Sequence, residues 1–195
     1  MNKLTELYLH GTNLYGSTPE QFTDKGSAHN YIDTYFDILK DLEHCKILEI
    51  GVRTGGSIWL WTKFLPSYEI WGIDILSDYF GNRPFVEELK NDSNVTTKWN
   101  RNSFDADSYK DLPKDFDLII DDGDHSPEGI NKTIVHAWLH LKEGGTYIIE
   151  DTQSEQAIEQ VVNNIKELSP NSSIEVLRLL KQGDDNIIKI IKKEV

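Results

Sequence analysis

The sequence has one cysteine, no long apolar run and few basic residues. The single cysteine, Cys45, has no partner for an internal disulfide, and no segment approaches the roughly 20 apolar residues of a membrane span. The first residues, MNKLTELYLHGTNLYG, lack the apolar core of a signal peptide. These absences predict a protein of the reducing, cytoplasmic compartment that does not insert into a membrane.

Basic residues are outnumbered by acidic ones, with 20 Lys and Arg against 33 Asp and Glu, for a formal net charge of -13. A polyanion is repelled by most of such a surface, so nucleic acid is not expected as a partner. The chain of 195 residues, 38% of them hydrophobic, is long enough for one domain with a substantial core. We therefore expect a single globular domain.

Short aliphatic runs alternate with helix-like segments through most of the chain. The strand-like runs are CKILEIG, YEIWGIDI, NVTTKWN, FDLIIDD and GTYIIED, at 45–51, 68–75, 94–100, 116–122 and 145–151. The helix-like segments lie at 57–65, 82–92, 105–112, 128–141 and 154–168. Strands that are apolar on both faces and alternate with helices form parallel sheets covered on both sides. The pattern predicts an α/β fold with a mostly parallel sheet.

The two ends of the chain depart from this alternation. The strand-like runs at 172–182 and 186–195 are joined by only three residues, too few for a crossover helix, and predict an antiparallel hairpin. Residues 23–42 predict a capped amphipathic helix. Residues 1–26 predict a turn-rich arm without an obvious core face, which acts as a lid or packs on a second copy of the chain in a homo-oligomer. Residues 27–195 then form the single domain.

A glycine cluster follows the first strand-like run, in LEIGVRTGGSIWLW (48–61). Glycines at the end of a strand let a ligand approach the backbone, and the next helix offers free N–H groups. The spacing departs from GxGxxG, with Glu49 before Gly51 and Gly55 after it, which argues against NAD. Asp74 ends the second strand-like run, where a carboxylate can accept hydrogen bonds from both ribose hydroxyls. The glycines suit a tight turn equally well, but both features together indicate a nucleotide-like cofactor.

Acidic residues crowd the end of the fourth strand-like run, in DLIIDDGDHSPE (117–128). Like charges this close raise one another's pKa and cost stability unless a cation, a proton or water relieves them. We therefore expect a bound cation at Asp122. Asp121 and Asp124 are explained more simply as residues that solvate the strand end or cap the next helix.

A second acidic pair, Glu150 and Asp151, ends the next strand-like run. If the two strands are neighbours, their carboxyl ends lie about 4.8 Å apart, and the pair converges on Asp122. Three carboxylates provide hard oxygen ligands, which suit Mg²⁺ or a similar ion. His125 lies three residues beyond Asp122 and can face the same pocket as a base.

Four segments in order resemble a known family. TDKGSAHNY (23–31), LEIGVRTGGSIWLW (48–61), IIDDGDHSPEGI (119–130) and GGTYIIEDT (144–152) together resemble the class I S-adenosylmethionine-dependent methyltransferases. More narrowly, they are similar to the metal-dependent sugar O-methyltransferases of macrolide biosynthesis, the macrocin and mycinamicin type. The resemblance runs from about residue 11 to residue 152. It implies a Rossmann-like methyltransferase sheet of seven strands, with helices on both faces.

The resemblance also implies roles for the residues at matching positions. The implied metal ligands are Asp122, Glu150 and Asp151, and the implied catalytic residues are His125 and Asp122. The candidate residues for binding S-adenosylmethionine are Glu49, Gly51, Gly55, Ser57, Asp74, Asn102, Ser103 and Asp121. Asn102 and Ser103 replace a Gly-Asp-Gln-like segment of the family, so the side chain that contacts the adenine stays open.

The favoured hypothesis is an Mg²⁺-dependent O-methyltransferase that acts on a hydroxyl of a small molecule, a sugar or glycosylated metabolite. A sugar hydroxyl is a poor nucleophile, and a cation and a nearby base both assist its deprotonation. One alternative is a related-fold enzyme of secondary metabolism that hydroxylates antibiotic nuclei, which would require oxygen. Another is a non-catalytic cofactor-binding or interaction protein, because 195 residues leave little room for the segments that enclose substrate in larger members.

Overall fold

The computed structural model describes residues 1–79, 83–179 and 186–193. The strands are β1 (Cys45–Ile50), β2 (Tyr68–Ile73), β3 (Val95–Lys98), β4 (Phe116–Asp121), β5 (Leu141–Ile149), β6 (Ser173–Arg178) and β7 (Asn186–Ile191). The α-helices are α1 (Lys3–Tyr15), α2 (Ile32–Leu39), α3 (Gly56–Phe64), α4 (Pro84–Asn91), α5 (Pro127–Ala137) and α6 (Glu155–Leu168). Among these residues, no helix combines the length and the apolar character that crossing a membrane requires.

The strands form one sheet in the order β3-β2-β1-β4-β5-β7-β6. Strands β1 to β5 pair in parallel, and β7 lies antiparallel to both β5 and β6. The register sets Asp121 of β4 opposite Ile149 of β5, so the segments that follow these two strands leave the sheet side by side. The predicted fold class, a mostly parallel seven-stranded sheet with a C-terminal antiparallel hairpin, is confirmed.

Helices cover both faces of the sheet, and each face has its own apolar core. On one face, residues such as Ile47 and Ile120 pack against α1, α2, α3 and α4. On the other, residues such as Leu48 and Ile119 pack against α5 and α6. Because successive side chains of a strand point to opposite faces, one face of β1 carries Ile47 and Glu49 together. This alternation decides which acidic side chains can meet at the strand ends.

Serine residues set where α5 and α6 begin. The N–H of Gly129 donates to Ser126 Oγ at 3.1 Å, and the N–H of Ala157 donates to Ser154 Oγ at the same distance. These bonds satisfy donors that have no partner inside the helix. Pro127 follows the first cap, at the position where its missing N–H costs nothing. The start of α5 thus holds the loop that carries His125.

Several elements are shorter than the sequence pattern predicts. The segment 23–42 is helical only over α2, because the N–H groups of three successive residues, 27–29, all bond to the Asp24 carbonyl in a series of turns. The predicted helix at 105–112 is a 3₁₀ turn over Ala106–Ser108, and the one at 128–141 ends in another over Trp138–His140. Residue 82 of the second predicted helix and residues 180–185 and 194–195 of the predicted hairpin lie outside the described residues.

The expectation that residues 1–26 lack a core face is wrong. Leu4 and Phe22 are almost fully buried, and Tyr8 joins them in the core shared with α2 and α3. The ring of Phe22 lies 5.4 Å from that of Trp59 in an edge-on contact. The arm shares this core, so it gives no argument for packing on a second copy, and the division at residue 26 stays a prediction. The homo-oligomer stays a prediction.

If α1 belongs to the core, Leu4→Ala should lower the free energy of unfolding by about 2 to 5 kcal/mol, the usual cost of a cavity at a buried leucine. Leu14 lies on the same helix but is 57% exposed, so Leu14→Ala should change stability by less than about 0.5 kcal/mol. Urea unfolding of both variants measures the difference. Equal, small effects would mean that α1 is dispensable.

Candidate functional site

A cavity of about 640 Å³ opens at the carboxyl ends of the central strands. Its wall includes the residues that directly follow β1, β2 and β4, namely Gly51, Asp74 and Asp122, and the second residue after β5, Asp151. Between β1 and β4 the strand order reverses, and the helices after these strands leave to opposite faces. Such a switch point creates a crevice in which doubly wound sheets bind ligands. The volume suits one small molecule.

The arm closes one side of the cavity. Its residues in the wall are Pro19, Phe22, Thr23 and Asp24. The Thr54 hydroxyl donates to the carbonyl of Phe22 at 2.6 Å, which ties the arm to the start of α3. Gly56 has no room for a side chain there, since a Cβ would lie 2.0 Å from the same carbonyl oxygen. The arm is therefore placed where a lid would be, and its movement stays a prediction.

The glycines after β1 serve close packing of the chain. Gly51 has φ 89°, and a Cβ there would lie 2.1 Å from the carbonyl oxygen of Asp122. The glycine therefore allows the ends of β1 and β4 to touch, which brings the two loops into one wall. Gly55, with φ 82°, precedes α3 and faces the ring of Tyr79 rather than the cavity. A tight turn explains why residue 55 is glycine. It explains Gly51 only in part, because Gly51 also lines the cavity.

Asp74 lies in the wall and holds the loop around it. Its Oδ2 accepts the N–H of Arg53 at 2.7 Å, and its Oδ1 accepts the N–H of Leu76 at 2.8 Å. A carboxylate has about four lone-pair positions, so each oxygen can accept a further hydrogen bond. The geometry leaves Asp74 the acceptor capacity that hydroxyls of a ligand require.

Glu49 lies behind the wall, on the face of the sheet that α3 covers. Its carboxylate accepts hydrogen bonds from the Ser57 hydroxyl and from Trp61 Nε1, the latter at 3.0 Å. Burial raises the pKa of Glu49 above its ordinary value, although Lys25 nearby acts in the opposite direction. Ser57 itself lines the cavity, so its hydroxyl connects Glu49 to that space.

Asn102 and Ser103 line the far side of the cavity, after β3. The amide oxygen of Asn102 accepts the N–H of Phe104 at 3.1 Å, and the Ser103 hydroxyl pairs with that of Thr133 at 2.9 Å. Both side chains are thus fixed by local bonds, and Asn102 keeps its amide donors for other partners.

Asp121 and Asp122 are adjacent but lie in different environments, because the strand alternation sends them to opposite faces. Asp121 is fully buried and accepts the hydroxyl of Tyr147 at 3.0 Å. Burial raises the pKa of Asp121 to about 7. Asp124 Oδ1 accepts the N–H of Ser126 at 2.8 Å just before α5, whereas the cap of α5 is Ser126 and not Asp124.

Asp122, His125 and Asp151 form a group with ligand atoms that all lie within 4.8 Å of one another. Asp151 has a left-handed backbone (φ 54°) that ends the extended strand, and its Oδ2 lies 3.8 Å from His125 Nδ1. Burial, and next the charge of Asp122, raise the pKa of Asp151. The carboxylates of Asp122 and Asp151 in the cavity wall are a donor set that fits Mg²⁺ or a similar hard cation.

Glu150 converges on Asp122 as predicted but is bonded to groups from the arm and α2. Lys25 Nζ lies 2.7 and 2.6 Å from the two oxygens of Glu150 and 2.9 Å from Asp122 Oδ2. The hydroxyl of Tyr35 also donates to Glu150. Burial opposes the charge of Lys25, but Asp122 and Glu150 raise its pKa well above the ordinary value. Burial raises the pKa of Glu150 well above its ordinary value, although the charge of Lys25 acts in the opposite direction.

Lys25, Tyr35, Tyr31 and His29 join the site in the structure, although the sequence pattern predicts no chemistry for them. The hydroxyl of Tyr31 donates to Asp151, and His29 Nδ1 lies 3.4 Å from the same carboxylate. Lys25, His29 and Tyr31 all lie in the segment TDKGSAHNY, whose pattern predicts an arm and the start of a helix. A lysine beside glycine gives no sign of burial until the fold places it against acidic groups.

The cavity brings most of the predicted site residues together. Those in its wall are Gly51, Ser57, Asp74, Asn102, Ser103, Asp122, His125 and Asp151. As far as the described residues show, four others lie behind the wall: Glu49, Gly55, Asp121 and Glu150. The ligand roles of all twelve residues stay predictions.

Two comparisons concern the sequence. A family profile described as "Methyltransferase domain" matches residues 48–152. The chain is 28% identical over 143 residues to the mycinamicin VI 2''-O-methyltransferase of Micromonospora griseorubida, covering 67% of this chain and 33% of that protein. It is 27% identical over 163 residues to the demethylmacrocin O-methyltransferase of Streptomyces fradiae, covering 77% and 36%. The chain spans about a third of the length of these relatives. The resemblance to the macrocin and mycinamicin type is confirmed.

Solved structures confirm the Rossmann-like methyltransferase fold. The MycE methyltransferase from the mycinamycin biosynthetic pathway, in complex with Mg, SAH and mycinamycin VI, matches with a TM-score of 0.68 at 20% identity. The match covers 98% of this chain and 54% of MycE. The SAH-bound Podospora anserina methyltransferase PaMTH1 matches with a TM-score of 0.65 at 14% identity, covering 100% of this chain and 89% of PaMTH1.

The buried carboxyl of Glu49 predicts a pH effect on stability. Because burial raises its pKa in the folded state, the folded protein holds this proton more tightly than the unfolded one, so stability declines as pH rises from about 4.5 through the folded pKa. Glu49→Gln removes this decline and keeps an acceptor for Trp61. Urea unfolding at pH 5 and pH 8 should show the variant gaining on the wild type at pH 8. A difference that is the same at both pH values would contradict the assignment.

Proposed function

This chain belongs to the methyltransferase domain family, and we propose that it is an S-adenosylmethionine-dependent, Mg²⁺-dependent O-methyltransferase. The proposed acceptor is a hydroxyl of a small molecule, a sugar or glycosylated metabolite. One observation carries the proposal: a single cavity joins Gly51 and Asp74 to Asp122, His125 and Asp151. The cofactor side and the chemical side of the site thus open into the same space. The named substrates of the relatives support the acceptor class.

The cofactor occupies the part of the cavity between β1, β2 and β3 in this proposal. Asp74 accepts hydrogen bonds from the two ribose hydroxyls, with its carboxylate held in place by the N–H groups of Arg53 and Leu76. Asn102 and Ser103 line the side on which the adenine binds. Glu49 acts from behind the wall by fixing the hydroxyl of Ser57.

The metal ion binds at Asp122 and Asp151, whose ligand atoms lie within 4.8 Å of each other, and at Glu150 beside them. The three carboxylates supply hard oxygen ligands from two neighbouring strand ends. When bound, such an ion lowers the pKa of a hydroxyl beside it. The Mg and SAH of the MycE complex support this part of the proposal. Asp122 also contributes by accepting one bond from Lys25, which fixes the orientation of its carboxylate.

His125 accepts the proton of the acceptor hydroxyl. Its side chain is 31% exposed, so its ring can reach a ligand, and Asp151 Oδ2 lies 3.8 Å from its Nδ1. A carboxylate at that distance stabilises the positive charge that the ring gains with the proton. The chain otherwise acts by alignment, with the nucleophilic oxygen and the methyl group held roughly 3 to 3.5 Å apart.

A product assay tests this function. The protein is incubated with S-adenosylmethionine, Mg²⁺ and a panel of nucleotide sugars and glycosides, and products are identified by mass spectrometry. We expect at least one acceptor to gain one methyl group, in the presence or absence of oxygen. Asp122→Asn serves as the inactive control. Turnover that requires oxygen would indicate a hydroxylase, and binding of the cofactor without turnover of any acceptor would indicate a binding protein.

Asp74→Ala should weaken binding of S-adenosylhomocysteine by about 1.5 to 3 kcal/mol for each charge-assisted hydrogen bond lost. Isothermal titration calorimetry measures the affinity, and the melting temperature checks that the variant is folded. Asp37→Ala is the control, because Asp37 is an exposed acid that pairs with Lys40 away from the cavity. Unchanged affinity in Asp74→Ala would remove Asp74 from the cofactor site.

His125→Ala and Asp122→Asn should separate proton transfer from metal binding. His125→Ala should keep the rise in melting temperature that Mg²⁺ causes, while turnover falls by roughly 10²- to 10⁴-fold, the usual contribution of a positioned base. Asp122→Asn should lose both the shift and turnover, because it removes a ligand. Thermal unfolding with and without Mg²⁺ and a turnover assay measure the two effects. If His125→Ala also loses the shift, His125 is a ligand and not the base.

A further inference from the structure

Five carboxylates line the cavity, and one of them differs from the others in its bonding. The five are Asp24, Asp74, Asp122, Asp124 and Asp151. Four of them accept a hydrogen bond from the protein, either from a backbone N–H group, from Lys25 or from Tyr31. The carboxylate of Asp24 receives no hydrogen bond from any residue that the structure describes. His29 Nε2 lies 3.9 Å from its Oδ2, which is beyond hydrogen-bond length.

Hydrogen bonds and buried neighbours hold the backbone at Asp24 in place. The carbonyl of Asp24 accepts the N–H groups of residues 27–29, at 3.0 to 3.1 Å. Phe22 and Lys25 are each 1% exposed, so the chain is anchored in the core on both sides of Asp24. The side chain of Asp24, in contrast, is 26% exposed and lines the cavity. A carboxylate held in this way needs little further ordering when a ligand binds to it.

Asp24 lies on the side of the cavity where the proposed acceptor binds. Only the ring of His29 separates it from Asp151, because the Nδ1 atom of that ring is 3.4 Å from Asp151 Oδ1. Asp24 does not belong to the group whose ligand atoms lie within 4.8 Å of one another, which is Asp122, His125 and Asp151. The carboxylate is therefore near the reacting hydroxyl of the proposal and outside the expected metal site.

We propose that Asp24 is a specificity-determining residue for the acceptor: its carboxylate accepts a hydrogen bond from one hydroxyl of the sugar other than the hydroxyl that is methylated. This inference rests on the proposed function, which supplies the acceptor. A few polar groups in a cavity wall fix the orientation of a ligand, and an acceptor without a donor from the protein is available for that role. A sugar carries several hydroxyls, so when one lies at His125 another faces the neighbouring wall. A sugar without that hydroxyl leaves Asp24 unpaired and is rejected.

The experiment removes the carboxylate and single hydroxyls of the acceptor in combination. The probes are 4-nitrophenyl glycosides of six-carbon sugars and, for each one that is methylated, the counterparts in which one non-reacting hydroxyl is replaced by hydrogen. In the wild type, at least one counterpart should lose about tenfold or more in kcat/KM, because a bond to a charged acceptor is lost. In Asp24→Ala, the loss for that counterpart should shrink to within about threefold, because the hydroxyl no longer has its partner.

The ratio of kcat/KM between a glycoside and its counterpart separates recognition from a structural role. A structural role of Asp24 lowers kcat/KM for both and leaves their ratio unchanged. Asp24→Asn, which keeps the shape and loses the charge, should give a ratio between those of the wild type and Asp24→Ala. Asp37→Ala, at an exposed acid that pairs with Lys40, should keep the ratio of the wild type. The melting temperature checks that each variant is folded.

Several results would overturn the inference alone. One is an unchanged ratio in Asp24→Ala, and another is complete loss of turnover in both Asp24 variants, which would make Asp24 a catalytic residue. A loss of about tenfold in affinity for S-adenosylhomocysteine would assign Asp24 to the cofactor instead. Loss of the rise in melting temperature with Mg²⁺ would assign it to the ion. A wild type that methylates none of the probes overturns the glycoside acceptors of the proposed function as well.

Discussion

The structure depends on the compensation of buried negative charge at the carboxyl edge of the sheet. Strand alternation carries Glu49, Asp122 and Glu150 to a face that helices cover, where uncompensated carboxylates are costly. Lys25 compensates Asp122 and Glu150, and the Tyr35 hydroxyl also donates to Glu150. The third carboxylate, Glu49, accepts hydrogen bonds from Ser57 and Trp61. Because Lys25 belongs to the arm, this compensation also holds the arm against the sheet and so completes the wall of the cavity.

Adjacent positions in the chain acquire different chemistry because strands have a period of two. Asp121 faces α5 and α6, bonds to Tyr147 and has a pKa raised by burial to about 7, whereas Asp122 faces the cavity. Just after β5 this alternation ends, because Asp151 has a left-handed backbone conformation. Its carboxylate therefore lies near Asp122 and His125. A regular strand would have sent Asp151 away from them.

The family match and the site do not cover the same part of the chain. Residues 48–152 contain the strand ends with Asp74, Asp122 and Asp151, which carry the proposed cofactor and metal contacts. Lys25 and the arm residues that line the wall precede that match. The matched domain therefore supplies the strand-end residues of the site, and the segment before it supplies one side of the wall and the charge of Lys25. The relatives are about three times as long as the part that matches this chain. The acceptor is therefore a proposal and does not follow from the match.

The sequence by itself determined the alternation of strands and helices, the antiparallel end of the sheet and the acidic strand ends, because each depends on local patterns of polarity. It also placed Asp122 beside the Glu150–Asp151 pair, since parallel neighbours end at the same edge. Only the tertiary structure decided which partner each acid has. Lys25 lies 97 positions from Asp122 and 125 from Glu150, and no local pattern encodes a contact over that separation. Lys25 makes these contacts because the arm is buried. The arm is buried because it packs with α2 and α3 on one face of the sheet.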